Sequence, residues 1–278
     1  MNYYLGLDLG GTQIRGGIVD DDGNIVLEKA IPTKLSTSSI VDRLFDLIRE
    51  LISEYQVKAI GIGVPGPIDF GAGLILNPPN LPELNNVPLK QKIDQEFNLP
   101  VAMDRDANCA LIGEHWVGIA KGMQNIALIT WGTGVGGAVI IDNKIYRGHS
   151  GLADEIGHMI IDKDGPECSL GHRGCLETFI GGANVQLRYG KSLEEITAGG
   201  REGQERDREI VREIGEYLKI GLMNIVTLYD PELIIIDGGA AQSLDVFLLE
   251  IGDLPVRVSP LAKEAGILGA ARLVSELI

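Results

Sequence analysis

The chain has 278 residues, of which 45% are hydrophobic and 23% charged, the composition of a folded protein with a substantial core. That length predicts about two domains, and the apolar content excludes disordered and low-complexity classes. No apolar run approaches the roughly 18 residues of a membrane helix, and the start of the chain lacks the features of a secretion signal. We therefore expect a cytoplasmic protein.

Charge narrows the choice of partners. There are 24 Lys and Arg against 39 Asp and Glu, giving a formal net charge of −15. Because such a surface repels phosphate backbones and anionic lipids, we expect neither a nucleic-acid nor a membrane partner. Any bound phosphate must be held mostly by backbone N–H groups and a divalent cation. The 3 cysteines, Cys109, Cys168 and Cys175, are too few for a disulfide scaffold and indicate a reducing compartment.

The first segment predicts meandering antiparallel strands at Tyr3–Leu9, Ile14–Val19 and Ile25–Ile31. A helix of period 3.6 follows, with Ser39 and Asp42 forming a capping box. Val57–Val64 is continuously apolar, which predicts a central parallel strand. The pattern then predicts a helix at Leu89–Phe97, a strand at Pro100–Met103 and a helix from about Asp106 to Val117.

The same pattern begins again near residue 126. It predicts strands at Ile126–Trp131, Ala138–Ile141 and Lys144–Tyr146, a long amphipathic helix ending at Tyr229, a buried strand at Leu233–Ile236 and a closing helix at Gly266–Leu277. The alternating charges of Glu205–Glu216 predict a solvated helix face. We interpret the repetition as two α/β halves facing each other across a cleft. They are a smaller lobe at 1–107 and a larger lobe at 108–278, with the closing helix 266–277 packing back toward the first lobe.

Two segments match G-x-G-x-x-G, at 61–66 and 132–137, but neither opens a helix. A Rossmann nucleotide site is therefore not expected, and the P-loop motif G-x-x-x-x-G-K-[ST] is missing from the sequence. What remains is a pair of strand–glycine–strand hairpins, Asp8–Thr12 and Thr130–Gly136, in corresponding places of the two halves. Either hairpin alone is an ordinary turn, whereas the pair favours a nucleotide site.

Such hairpins let backbone N–H groups approach a phosphate chain, because glycine leaves the backbone uncovered. The hydroxyls of Thr12 and Thr133 are further donors. Asp8, at the end of the first strand, is a candidate to hold Mg²⁺ through water.

Several motifs resemble those of a known group. Asp8–Thr12 (DLGGT), Thr130–Gly136 (TWGTGVG) and Leu233–Gly239 resemble the two phosphate motifs and the adenosine motif of the actin-like, ribonuclease H-like ATPases. More narrowly, Asp106-Ala107-Asn108, Glu155-Ile156-Gly157-His158 and the Cys168–Glu177 segment resemble the ROK family of sugar kinases and repressors over almost the whole chain.

The resemblance implies an α/β fold of two ribonuclease H-like lobes, with mixed sheets flanked by helices and an interlobe cleft. It also implies that ATP and Mg²⁺ bind, with ATP and phosphate contacts at Asp8, Gly10, Gly11, Thr12, Gly132, Thr133, Gly134, Gly238 and Gly239. The repressor branch carries an N-terminal DNA-binding domain, and our first predicted strand starts at residue 3. The kinase branch is therefore expected, with a homodimer as the family's habit.

Asp106 stands where a strand gives way to a helix, a position that by itself predicts a helix N-cap. The resemblance implies instead a general base that accepts a proton from a sugar hydroxyl attacking the γ-phosphoryl group of ATP. Sugar contacts are implied at Gly66, Asn80, Arg105, Asp106, Glu155, His158 and Glu177. Without the resemblance, Glu155 and Glu177 would be ordinary surface acids. Arg105 replaces the family's usual Asn and can only donate, which leaves the identity of the sugar open.

His158, Cys168 and Cys175 form a candidate Zn²⁺ site that would hold the loop carrying Glu177. The family's third cysteine is replaced by Leu170. His172 or water would then complete the ligand set, or these residues serve packing alone. The segment from Ala240 to Gly266 is also short for the family, so a trimmed adenine pocket stays open.

The leading expectation is an ATP-dependent sugar kinase of the glucokinase type, acting on the 6-hydroxyl of glucose. The alternatives within this class are a kinase for fructose, mannose or an N-acetylhexosamine, and polyphosphate or another nucleotide as phosphoryl donor. From a different class, the alternative is a sugar-responsive regulator without catalysis, against which the presence of Asp106 argues.

Overall fold

The computed structural model describes residues 1–34, 38–78 and 81–277. The strands are β1 (Tyr3–Leu9), β2 (Gln13–Asp20), β3 (Ile25–Pro32), β4 (Ile60–Val64), β5 (Ile68–Asp69), β6 (Leu74–Ile75), β7 (Val101–Arg105), β8 (Ile126–Trp131), β9 (Val135–Ile141), β10 (Lys144–Ile145), β11 (Leu233–Asp237) and β12 (Val256–Val258). The α-helices are α1 (Ile40–Glu54), α2 (Leu89–Phe97), α3 (Asp106–Trp116), α4 (Leu176–Ile180), α5 (Gly182–Tyr189), α6 (Leu193–Glu202), α7 (Glu205–Tyr229), α8 (Leu248–Ile251) and α9 (Ala265–Ser275). Within these ranges, no helix has the length and apolar character needed to span a bilayer.

The chain divides into two compact units. The first comprises Met1–Gly122, Arg147–Ala153 and Lys263–Ile278, and the second comprises Met123–Tyr146 and Asp154–Ala262. This division differs from the predicted boundary after residue 107, because α3 packs against α9 and β4 of the first unit. The predicted α/β class, with mixed sheets flanked by helices, is confirmed.

The first unit is built on a five-stranded sheet in the order β3-β2-β1-β4-β7. β2 runs antiparallel to its neighbours, whereas β1, β4 and β7 are parallel. All of β4 is buried, as its continuous apolar sequence predicts for a central parallel strand. On α1, the Ser39 hydroxyl accepts from the N–H of Asp42 at 3.1 Å and donates to its carboxylate at 2.7 Å, so this cap closes through the two side chains.

Helix α9 rests directly on the backbone of this unit. A Cβ at Gly61 would lie 1.8 Å from the carbonyl oxygen of Ala270, and a Cβ at Gly269 would lie 1.6 Å from that of Cys109. Glycine is required at both positions because any side chain would separate α9 from β4 and α3. The last helix is therefore part of the first unit's core.

The second unit repeats the arrangement with a five-stranded sheet in the order β10-β9-β8-β11-β12. β9 is antiparallel to its neighbours, whereas β8, β11 and β12 are parallel. The apolar stripe of α7 packs with this sheet in one core. The predicted solvated face of α7 has an exception, because Asp207 is 1% exposed and accepts from the Lys191 ammonium at 2.8 and 2.9 Å.

Candidate functional site

In the first unit, three parallel strands bring acidic residues to one edge of the sheet. Asp8 pairs in register with Gly63, and Gly63 pairs with Asp104. Asp106 follows β7 directly as the first residue of α3, so Asp8 and Asp106 both lie at the carboxyl edge, where α/β sheets bind ligands. Burial raises the pKa of the neighbouring Cys109 thiol well above its ordinary value, and the carboxylates of Asp104, Asp8 and Asp106 raise it further.

The carboxylate of Asp106 is partly exposed at the N-terminus of α3. Its Oδ1 accepts from the N–H of Ala107 at 2.8 Å. The helix N-terminus favours the ionised carboxylate, which is the form that accepts a proton. Asp106 is therefore the first residue of α3 and not its N-cap, which is Arg105. The resemblance implies a general base at this position.

Arg105 and Asp104 directly precede Asp106 in the chain and are buried, at 4% and 0% exposure. The Arg105 guanidinium donates to Asn108 Oδ1 at 3.3 Å. The Asp104 carboxylate accepts from several donors, a role that no sequence motif predicted. The available signal was an acid directly after the predicted apolar strand Pro100–Met103, which requires partners if it is buried.

The first glycine hairpin, Asp8–Thr12, is stabilised by hydrogen bonds with Gln13 and Thr33. Gly10 donates its N–H to Gln13 O at 3.0 Å and accepts from the Thr33 hydroxyl at 2.6 Å. The N–H of Thr33 donates to Thr12 O at 2.8 Å. Gly11 and Thr12 are exposed at the tip of the hairpin. Thr33 fixes this geometry, but it belongs to no motif that could have identified it from the sequence.

In the second unit, the predicted second phosphate motif and adenosine motif line one cavity of about 470 Å³. This volume is in the range of small-ligand sites. Its walls are formed by the hairpin residues Gly132 and Thr133, by Gly182, Ala183 and Gln186 of α5, by Ser192, Leu193 and Glu194 at the start of α6, and by Gly239, Ala240 and Ser243.

Backbone contacts fix the shape of this cavity. The carbonyls of Gly132 and Thr133 each accept a 2.9 Å hydrogen bond from the start of α5. Gly238 has φ +97°, and a Cβ there would lie 2.5 Å from Trp131 O, so glycine is required. A Cβ on Gly239 would meet no atom within 4 Å, which leaves this backbone open to the cavity.

Glu177, a predicted sugar contact on α4, bonds to the same hairpin. Its Oε2 accepts from the N–H of Val135 at 2.8 Å, and a Cβ on Gly134 would lie 2.5 Å from that oxygen. Gly134 therefore admits the carboxylate to the hairpin. The sequence analysis did not predict this link between the sugar and phosphate motifs.

Glu155 immediately precedes a short 3₁₀ turn, Ile156–His158, and His158 is its last residue. The preceding residue, Asp154, is buried with φ +64°, and its carboxylate accepts from the Tyr229 hydroxyl at 3.0 Å. Burial, and to a smaller extent the carboxylate of Asp154, raises the pKa of Tyr229 to about 12. A contact from the end of α7 thus anchors the turn that carries both predicted sugar residues.

The predicted metal residues come together. The ligand atoms of His158, Cys168 and Cys175 all lie within 4.8 Å of one another. His158 Nδ1 is buried and has no hydrogen-bond partner among the described residues. Burial, and to a smaller extent the neighbouring Cys168 thiol, raises the pKa of Cys175 to about 12. Two thiols and an imidazole with an unsatisfied nitrogen form a donor set that fits Zn²⁺.

His172 lies outside this group in the described part of the chain. Its side chain is exposed, and its carbonyl accepts from the N–H of Cys168 at 2.7 Å. Leu170 is 59% exposed. Gly66 lies in the first unit with φ +85°, and a Cβ there would lie 3.2 Å from Pro78 Cα. Asn80 falls outside the described residues.

Solved structures of sugar kinases share this fold. A ROK family glucokinase from Streptomyces griseus, in complex with glucose and AMPPNP, superposes with a TM-score of 0.84 at 30% identity, covering 99% of this chain and 100% of that one. A ROK hexokinase from Thermus thermophilus gives a TM-score of 0.87 at 29% identity, over 99% and 98% of the two chains.

Relatives with assigned activities include both kinases and a repressor. The glucokinase of Streptomyces coelicolor is 31% identical over 99% of this chain and 98% of its own length. An N-acetyl-D-glucosamine kinase of Pectobacterium carotovorum is 32% identical over 94% and 91%, and a xylose repressor of Caldicellulosiruptor bescii is 31% identical over 99% and 78%. The model of the ROK family matches residues 4–276. The chain therefore belongs to the ROK family.

Proposed function

We propose that this protein is an ATP-dependent sugar kinase that transfers the γ-phosphoryl group to the 6-hydroxyl of glucose. The observation that carries the proposal is Asp106, a partly exposed carboxylate at the carboxyl edge of a parallel sheet and at a helix N-terminus. The glucokinase relatives support the choice of reaction and of glucose.

The proposed nucleotide site is the glycine-lined cavity of the second unit. Its volume suits an adenine nucleotide, and a Cβ at Gly132 or Gly239 would meet open space, so backbone N–H groups rather than Lys or Arg side chains would contact the phosphates here. Gly10, Gly11 and Thr12 would supply the phosphate contacts of the first unit. Mg²⁺, when bound, neutralises charge on the phosphates, and Asp8 is the residue proposed to hold it through water.

In the proposed reaction, the sugar hydroxyl donates its proton to the Asp106 carboxylate while its oxygen attacks the γ-phosphorus. A new P–O bond forms to the sugar, the bond to the β-phosphate oxygen breaks, and ADP leaves with the electron pair. The proton on Asp106 then passes to water. General-base catalysis of this kind contributes about 10²- to 10⁴-fold to the rate.

Hydroxyls of a neutral sugar would be bound by Gly66, Asn80, Arg105, Glu155, His158 and Glu177. Carboxylates and an imidazole accept and donate to hydroxyls, and the bond from Glu177 to the Val135 N–H couples sugar contact to the nucleotide hairpin. The N-acetyl-D-glucosamine kinase relative makes an N-acetylhexosamine the second candidate substrate.

We also propose that His158, Cys168 and Cys175 hold Zn²⁺, supported by their spacing and by the unsatisfied His158 nitrogen. The ion would supply a fixed point that closes the Cys168–Cys175 loop, and this loop leads directly into α4 and Glu177. A water molecule would complete the four-coordinate set.

A coupled assay of ADP release tests the kinase proposal. ATP or polyphosphate is combined with glucose, mannose, fructose, N-acetylglucosamine or xylose, and we expect the highest kcat/KM with ATP and glucose. If none of these combinations of donor and sugar gives sugar-stimulated turnover, the kinase proposal is overturned. Sugar binding without turnover, measured by calorimetry, would support the regulator instead.

The homodimer implied by the family is proposed as well. Light scattering of the purified protein should give twice the mass of one chain. A single-chain mass across a concentration series would overturn it.

A further inference from the structure

Asp104 is a fully buried carboxylate two residues before the proposed base, with 0% exposure. Its Oδ1 accepts from the N–H of Arg105 at 2.8 Å and from Asn108 Nδ2 at 2.7 Å. These two donors lie on either side of Asp106 in the chain. One carboxylate oxygen therefore fixes both flanks of the strand-to-helix turn that presents Asp106.

The second oxygen of Asp104 binds a residue from a distant part of the sequence. Arg147 donates to this Oδ2 through Nε at 2.9 Å and through Nη2 at 2.5 Å. Arg147 belongs to the same unit, and its guanidinium packs over the Phe70 ring at 5.6 Å from the centroid. The planar guanidinium is thus held on two sides, by an acid and by an aromatic face.

The burial of Asp104 explains why Arg147 matters. A buried carboxylate is tolerated only with strong partners, and the hydrogen bonds from Arg147 are the charge-assisted ones of its set. Without that guanidinium, the Asp104 carboxylate would rotate toward a new donor. That rotation removes an acceptor from the turn, and a displacement of about 1 Å at a reacting group can lower the rate about 100-fold.

We propose that Asp104 and Arg147 are positioning residues that hold Asp106 in its productive orientation. The inference rests on the proposed function, since it concerns the base of that reaction. Neither residue touches substrate in this scheme, so their effect is on kcat rather than on either KM.

The test compares Arg147→Gln and Arg147→Lys with wild type in the glucose-dependent assay. The matched control is Arg201→Gln, because Arg201 also donates twice to one acid, Asp245, at 3.2 and 2.6 Å on the surface of the second unit. We expect Arg147→Gln to lower kcat by about 10- to 100-fold, with both KM values within about twofold of wild type. Arg147→Lys keeps the charge and should recover part of that loss, whereas Arg201→Gln should match wild type.

The outcomes separate the two proposals. If wild type has no sugar-stimulated turnover, the proposed function fails and this inference fails with it. If wild type is active and both Arg147 variants keep its kcat, the inference alone is overturned, and a similar rise in both KM values, the mark of a loosened fold, overturns it as well. Should Arg147→Gln melt early by circular dichroism, Arg147→Lys decides, with about a threefold lower kcat at unchanged Tm expected and an unchanged kcat contradicting it.

Discussion

The two units share one strand arrangement but present different chemistry at the carboxyl edge of the sheet. In the first unit this edge carries Asp8 and Asp106, and a helix packs closely behind it. In the second unit the corresponding edge carries Gly132 and Gly238 beside an open cavity. Under the proposed function, the first unit supplies the group that accepts the proton and the second unit supplies the nucleotide cavity.

We expect the largest effect on activity from a substitution in the first unit, at Asp106. Asp106→Asn keeps the size of the side chain but removes the base, so we expect kcat to fall by about 10³-fold or more while sugar binding is retained. The ADP-release assay and calorimetry measure the two quantities. Asp46→Asn, a change at a surface acid of α1, is the control. Equal turnover in wild type and Asp106→Asn would exclude Asp106 as the base.

The second prediction concerns the proposed zinc ligands of the second unit, His158, Cys168 and Cys175. Cys168→Ser removes one of three ligands, and since the loss of supporting partners alone weakens metal sites by about 10- to 100-fold, we expect zinc content to fall from about one ion per chain to near zero. Elemental analysis of protein purified without chelator gives this content directly. Cys109→Ser, which changes a buried thiol outside the group, should keep the metal. Wild-type protein without zinc would leave His158, Cys168 and Cys175 as packing residues.

A smaller effect sharpens the role of the cavity. Because a side chain at Gly239 meets open space, Gly239→Leu should fill the cavity without strain and raise the KM for ATP about tenfold or more, with Tm and the sugar KM unchanged. Gly239→Ala adds one methyl group and should stay within about twofold of wild type. An unaltered KM for ATP in the leucine variant would contradict the proposal that this cavity binds the nucleotide.

The smallest effect concerns the anchor of the Glu155 turn. The pKa of Tyr229 is raised from 10.0 to about 12, so above pH 10 the unfolded chain loses this proton while the folded chain keeps it. The free energy of unfolding should therefore fall as pH rises from 10 to 12. Tyr229→Phe removes this contribution and should show a shallower decline, while losing about 1 kcal/mol at pH 7 with the hydrogen bond to Asp154.

Urea unfolding at pH 7, 10 and 11.5 measures this difference. Tyr189, whose pKa burial also raises to about 12, is present in both proteins and provides a common background. Identical pH slopes in the two proteins would mean that Tyr229 does not contribute to alkaline unfolding.

Much of the fold followed from hydrophobic patterning. Strand β1 and helix α2 begin and end at the predicted residues, and the repeated pattern near residue 126 predicted the second sheet. The predicted boundary after residue 107 missed the membership of α3, since periodicity reports which face of a helix is apolar and not which helix it meets.

The candidate site was also predictable only in part. The resemblance supplied the residues proposed to have direct chemical roles, and the parallel pairing of β1, β4 and β7 places Asp8 and Asp106 at one edge of the sheet. The supporting contacts could not be predicted, because Asp104 with Arg147 and Asp154 with Tyr229 join residues far apart in the chain. Asp207 shows the same limit, since an acid in an alternating charge run is ordinarily solvated and burial here depends on Lys191.

The place of α9 bears on how the protein is made. The segments of β4 and α3 leave the ribosome with their backbone uncovered, because the helix that rests on Gly61 and Cys109 is translated much later than both. The second unit has all its strands earlier and is free to fold during synthesis. Nascent chains stopped just before α9 should therefore show a protease-resistant second unit and a still-digestible first one.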